Sequence, residues 1–296
     1  MRNPDDGPVG EGRGQTGADE AFVPHRAYLE GLAYRMLGSV SDAQDIVQEA
    51  FMRWSGVDRA AVAEPRAFLT RIVTRLCLDQ LNSARARREH YVGTWLPEPA
   101  VAGMPEEHAH DLSVALLLAL ERLSPLERAA FLLHDVFDVD YSDVAATLER
   151  SEASCRQLAA RAREHVRAER PRFEPSPDTT ERIVAAFQAA VVSGDPALLA
   201  QVLSEDAIFY SDGGGKRQAA LRPIYGREKI LRFLEGIRAK GWGGGPVVPE
   251  RTSINGQPGF LLRGPDGIES IALEITGESL SAVYYVRNPD KLRHLS

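Results

Sequence analysis

Residues 209–217 read Phe-Tyr-Ser-Asp-Gly-Gly-Gly-Lys-Arg, three glycines running into a lysine. Such a stretch lets backbone approach an anion closely, which is how phosphate-binding loops work. The nucleotide version fails on spacing: a Walker loop needs glycine where Tyr210 stands and Ser or Thr where Arg217 stands. A glycine-rich turn between strands is the reading that remains. General acid–base chemistry in the same third of the chain would fall to Asp206, Tyr210, Asp212 and Tyr284. Histidine, the usual partner, is nearly missing there, since beyond residue 178 only His294 occurs. No nucleophile elbow or metal-ligand spacing accompanies them, so no catalysis, cofactor or metal is expected.

A different chemistry lies in the arginines. Placed at 100° per residue, 151–170 puts Cys155, Leu158, Ala159, Ala162 and Val166 on one stripe. The opposite side carries Arg156, Gln157, Ala160, Arg161, Glu164 and Arg167, with Arg163 at its flank. Arginine and glutamine make bidentate contacts to guanine and adenine edges, so Arg156, Gln157 and Arg161 are expected base readers. Arg163 and Arg167 are expected on phosphate, which gives salt-dependent, sequence-blind affinity. A second helix, opened by Pro65, groups Phe68, Leu69, Ile72, Val73 and Leu76 on one side. Thr70, Arg71, Thr74, Arg75, Asn82 and Arg85 line the other, while Asp79 falls among the apolar residues as a structural acid.

The elements that must hold these faces follow from periodicity. Residues 25–37 have apolar spacing of three and four before Gly38, and Ser41-Asp-Ala-Gln44 reads as a capping box opening SDAQDIVQEAFMRW. In that helix Trp54 and the pair Phe51-Met52 are expected in the core. Helices resume at 112–123 and after Ser124-Pro125-Leu-Glu127, then form a helix-turn-helix over 141–170. Two proline-rich stretches, 91–111 and 171–178, read as linkers. From residue 179, helices at 181–193, 195–203 and 226–240 alternate with turn-punctuated strands, and Asn255-Gly256 and Asp266-Gly267 signal hairpins. The expected architecture is multidomain: two all-α modules, then an α+β domain with a curved antiparallel sheet. Its parts are a disordered tail 1–20, modules 21–90 and 112–172, linkers 91–111 and 173–178, and the domain 179–296.

Composition fits this plan. The chain has 296 residues, net charge −7 and 26% charged residues, so it is not generally basic. Its positive charge is local: 71–88 holds five arginines against one acid, and 150–172 seven against three. All four lysines lie beyond residue 212. No apolar run reaches the ~18 residues needed to span a bilayer. The N-terminal twenty residues lack the apolar stretch of a signal peptide. Two isolated cysteines, Cys77 and Cys155, match no metal spacing; a cytoplasmic protein with both thiols buried is expected.

These residues resemble an extracytoplasmic-function RNA polymerase sigma factor. SDAQDIVQEAFMRW looks like region 2, which implies that Asp45, Gln48 and Glu49 contact the core polymerase. PRAFLTRIVTRLCLDQLNSARARR resembles the helix that melts and reads the −10 element, and 123–164 resembles region 4, which reads the −35 element. YVGTWLPEP, DGGGK and the terminal Asn288-Pro289-Asp290-Lys291-Leu292 are similar to signatures of a subgroup carrying a SnoaL-like C-terminal cone. The resemblance implies a regulatory role for Trp95, Pro97, Glu98, Asp212, Gly213, Gly214, Gly215, Lys216 and 288–292. It also implies core polymerase and promoter DNA as partners and no membrane. A pocket for an unknown small ligand in the cone, under the aromatic loop around Trp242, stays open. So does an alternative, a ligand-binding or catalytic cone that its helices target to DNA. DGGGK is expected to dock, with Lys216 and Arg217 facing the acids of 91–111 or of region 2.

Overall fold

The structure, a computed structural model, describes residues 12–58, 61–88, 91–101, 112–167, 175–239, 248–265 and 267–295. Three helices come first: α1 (Gly12–Leu37), α2 (Val40–Ser55) and α3 (Pro65–Arg88). Helix α1 starts within the stretch expected as tail, as a helix nucleated over 21–37 extends cheaply at its end. The start of α2 is also earlier than expected. Ser39, not Ser41, is its N-cap, accepting from the Asp42 N–H. Trp54 is buried there as expected, whereas Met52 is 60% exposed.

Four helices follow, α4 (Val114–Glu121), α5 (Pro125–Phe131), α6 (Tyr141–Leu148) and α7 (Glu152–Arg167). The expected capping box of α5 is present, with Ser124 and Glu127 bonding each other's backbone. A single π turn, Leu132–Val136, extends α5, and Asp138 beyond it has φ 52°. One apolar core runs through both helical groups, joining Leu32, Trp54 and Val73 to Leu120, Leu132 and Ala159. The two modules are therefore packed as one body. Cys77 and Cys155 are both buried within it as free thiols.

The remaining chain forms α8 (Pro177–Ser193), β1 (Leu203–Asp212), β2 (Ile224–Tyr225), α9 (Arg227–Ala239), β3 (Val248–Ile254), β4 (Gln257–Gly264), β5 (Gly267–Thr276) and β6 (Ser279–Val286). The expected helix 195–203 is instead a 3-10 turn, Pro196–Leu199, running into β1. The sheet order is β2-β1-β6-β5-β4-β3. Its β3–β6 meander is antiparallel, but β6 returns beside β1 in parallel, with Phe209 opposite Val283 and Asp212 opposite Val286. That central pairing corrects the all-antiparallel expectation. It joins strands far apart in sequence, where no hairpin signal exists to read.

Alternation gives the sheet two apolar faces. Phe209, Phe260, Leu262, Ile271 and Val283 pack under α8 and α9. Leu261, Ala272, Ala282, Tyr284 and Val286 face the other way, onto Leu96 of the 91–101 segment and Val114 of α4. The cone thus spends its outer face on the helical body. The loop around Trp242, Asp266 and residues 171–174 of the second linker lie outside the described residues. No described helix is long and apolar enough to cross a membrane.

Candidate nucleic-acid interface and interdomain clasp

The helix-turn-helix is built by α6 and α7. Glu149 caps α6 in the left-handed region at φ 54°, and the Ser151 hydroxyl accepts from Ser154 to open α7. Cys155, Leu158, Ala159, Ala162 and Val166 are buried, which leaves Arg156, Gln157, Arg161 and Arg167 exposed. Three of the arginines carry acidic partners. Arg156 meets Glu152 at 2.7 Å, Arg161 meets Glu127 at 2.9 Å, and Arg163 meets Asp135 at 2.5 Å. Arg163 also donates to the Tyr141 hydroxyl at 2.9 Å, and the Asp135 hydrogen bond holds its guanidinium above the ordinary arginine pKa. The Tyr141 ring lies under Arg156 at 4.9 Å and against His134 at 3.8 Å.

The α3 face differs from its expected pattern. Thr70 and Thr74 are buried, because α3 is covered by α1 and by α5 and α6 of the second group. The Thr70 hydroxyl turns back to the Arg66 carbonyl at 2.7 Å. Arg71 is half-buried. Arg75 crosses to Glu149 at 2.7 Å, tying α3 to the helix-turn-helix. Asn82 is exposed beside a groove of about 300 Å³ shared with Leu78, Ser124, Pro125 and Arg150. The Arg85 side chain lies outside the described residues. Asp79, expected among apolar side chains, is exposed. On α2, Asp45 and Gln48 are exposed, and Glu49 bonds Arg53 at 3.0 Å.

The segment 91–101 is gripped from two sides. On the cone side Asp212, fully buried, accepts the Tyr91 hydroxyl at 2.6 Å, the Leu96 N–H at 2.9 Å, the Gly214 N–H at 3.0 Å and the Lys291 ammonium at 2.7 Å. Lys291 also donates to the Leu96 carbonyl, and its ammonium sits 4.2 Å from the Trp95 ring and 4.9 Å from that of Tyr91. An ammonium between two ring faces is favourable. Asn288 donates to the Tyr91 hydroxyl at 2.9 Å and caps the 3-10 turn Pro289–Lys291 through Asp290, and Leu292 is buried against the same face. Burial and the Asp212 carboxylate push the Tyr91 phenol well above its usual pKa.

On the other side the Glu98 carboxylate takes the N–H groups of Val40 (2.8 Å) and Ser41 (3.1 Å) and the hydroxyls of Ser39 and Ser41. It therefore sits on the N-terminus of α2, where orphan amides and the helix dipole favour an anion. The Glu98 carbonyl accepts the Tyr34 hydroxyl at 2.6 Å, and Tyr34 accepts the Asn255 amide at 2.6 Å. Asn255, at φ 54° in the β3–β4 hairpin, also exchanges backbone and side-chain bonds with Ala100. The Trp95 ring reaches Gly38, where an added Cβ would lie 2.6 Å from it.

Several expectations change here. Lys216 binds Asp290 of the terminal motif, so its acid is neither in 91–111 nor in region 2; the carboxylate of Asp212 makes the linker contact instead. Pro97 lies buried in the gripped stretch. Gly213 packs on Arg217 and Gly215 on Val92. Of the acid–base candidates, Asp206 is exposed, and Tyr210 stacks on Tyr284 at 5.2 Å on the linker-facing side of the sheet. Asp212 belongs to the clasp, so no acid–base pair forms from these four inside the cone. Sequence reasoning missed Tyr34, Tyr91, Asn255, Asp135 and Tyr141. Tyr91 stood only as the first residue of YVGTWLPEP and Asn255 only as a turn signal.

Comparison with known proteins places this geometry. The family model for Sigma-70 region 2 matches residues 22–87, and that for Sigma-70, region 4 matches residues 113–166. The chain is 40% identical over 286 residues, 91% of each protein, to the ECF RNA polymerase sigma factor SigJ of Mycobacterium tuberculosis. It is 36% identical over 282 residues to a probable ECF RNA polymerase sigma factor, SigI, of the same organism, covering 92% of this chain and 93% of that one. The crystal structure of M. tuberculosis SigJ superposes with a TM-score of 0.74 at 35% identity, covering 93% of this chain and 98% of that one. The helical regions and the cone are thus shared along nearly the whole length. The chain belongs to the extracytoplasmic-function sigma factors of RNA polymerase.

Proposed function

We propose that this chain binds core RNA polymerase through α2, reads the −10 element with α3 and the −35 element with α7, and is governed by its cone through the 91–101 clasp. Asp45, Gln48 and Glu49 are the polymerase contacts. Arg71, Arg75, Asn82 and Arg85 serve the −10 element, with Thr70 and Thr74 joining once α3 is uncovered. Arg156, Gln157, Arg161, Arg163 and Arg167 serve the −35 element. The observation that carries this reading is the position of the clasp. One linker segment is bonded to Asp212 and Lys291 of the cone and, through Glu98, to the first turn of the polymerase-facing helix.

Cone and docking helix are therefore one mechanical unit, and Asp212, Glu98, Lys291 and the 288–292 turn are its control points. Reconstitution tests the reading. Core polymerase from the encoding cell, mixed with the full chain and a genomic promoter library, initiates at a discrete promoter set absent with core alone. Initiation indistinguishable from core alone would refute it. Removing residues 288–296 is expected to alter that output while leaving the helical body folded, and unchanged output would refute the control role.

A further inference from the structure

We propose that Asp135 and Tyr141 are positioning residues for promoter reading, holding Arg163 and Arg156 as one pre-set pair on the DNA side of α7. The inference rests on the region 4 reading above. Arg156 and Arg163 are seven residues apart, two helical turns, so they share a stripe and their Cα atoms are separated by roughly 10 Å. That is about three base steps at 3.4 Å each. Tyr141 lies between them, with its ring under the first guanidinium and its hydroxyl on the second.

The shelf is built by an irregular backbone. The π turn Leu132–Val136 and the left-handed Asp138 precede Tyr141 and present His134 to its ring and Asp135 to Arg163. His134 stacks on the tyrosine ring while its Nδ1 bonds the Val139 carbonyl at 3.0 Å. π turns and positive-φ non-glycine residues concentrate at functional positions. Asp135 then takes Arg163 Nε–H and Tyr141 takes one Nη2–H. Two of the five guanidinium donors are used and three remain for a ligand.

Two consequences follow for DNA. An arginine already fixed in direction loses less freedom on binding, and it discriminates better between bases than a swinging one. An arginine already beside a carboxylate is also a weaker general attractor of phosphate. Arg163 thus shifts from the sequence-blind contact its flank position suggested to a directed one.

The test uses the full chain reconstituted with core polymerase and a duplex library randomised over ten base pairs upstream of a fixed initiation region. Wild type, Asp135→Asn and Tyr141→Phe are compared after their melting curves have been matched. Wild type enriches a defined sequence. Both variants lose about 5- to 20-fold of the preference at the same one or two positions and keep it elsewhere. Asp135→Asn, which frees a cation, steepens the salt dependence of binding by about one phosphate equivalent, whereas Tyr141→Phe leaves it unchanged. Variant preferences and salt slopes identical to wild type would overturn the proposal. A wild type that enriches no sequence would overturn the region 4 reading itself, and the proposal with it.

Discussion

Asp212, the residue before the glycine run, and Lys291, five residues from the C-terminus, form a buried ion pair at 2.7 Å that closes around the Leu96 peptide. Both charges are satisfied by several partners, the arrangement in which a buried pair can be held without penalty. Breaking one side is another matter. Asp212→Asn takes the carboxylate of its buried ion pair away from an ammonium held between Trp95 and Tyr91, at an expected cost of about 3–5 kcal/mol. Denaturant unfolding of the full chain reads this. Asp212→Asn/Lys291→Met should recover part of the loss, because the buried ammonium is then removed together with its carboxylate. Additive single effects would show that the pair is not coupled.

Glu98 should behave as a cap supplied from outside the helix. Glu98→Ala removes a carboxylate from the Val40 and Ser41 amides, costing ~1–2 kcal/mol by analogy with N-cap losses. Hydrogen exchange at those amides should quicken while the α7 amides keep their protection. Uniform change across the body would point to general destabilisation instead.

The second glycine of DGGGK is required by its backbone and by its neighbour. Gly214 has φ 56°, and an added Cβ would lie 2.2 Å from the Asn288 amide that serves Tyr91. Gly214→Ala should therefore lose about 1–3 kcal/mol through left-handed strain and displacement of Asn288. Gly236 in α9 meets nothing within 4 Å of its added Cβ. There alanine should stabilise by ~0.5–1 kcal/mol through helix propensity. Thermal melts of the two variants should move in opposite directions.

The clasp also has a pH signature. The Tyr91 pKa is raised in the folded state above the unfolded value of about 10. The associated stability is fully present below about pH 10 and is lost as pH rises through the folded pKa. Between pH 10 and 11, wild type should lose stability faster than Tyr91→Phe. Parallel curves would remove Tyr91 from the linkage.

Much of this was legible because periodicity reports burial. The stripes Cys155–Val166 and Leu69–Val73 face the core, as their spacing demands. What failed were statements about partners from elsewhere in the chain. Thr70 and Thr74 are polar and fall opposite Phe68, yet they are buried where α1 and the second helical group cover α3, and no local pattern reports that. Asp79 is exposed for the complementary reason, since α3 is covered unevenly. Lys216 found its acid in a motif 74 residues away. The register that places Tyr210 against Tyr284 comes from a parallel pairing between the sheet's first and last long strands. The cap of α2 moved to Ser39 because Glu98, from beyond α3, completes it.

The most direct test of the central claim is promoter-dependent initiation by core polymerase with wild-type chain or with Asp212→Asn, each at saturating and equal concentration of folded protein. If the clasp governs the factor, the variant's initiation rate should differ from wild type by about fivefold or more, and transcript start sites should not change. Equal rates from a variant whose 91–101 segment is shown by proteolysis to be released would contradict control through the clasp.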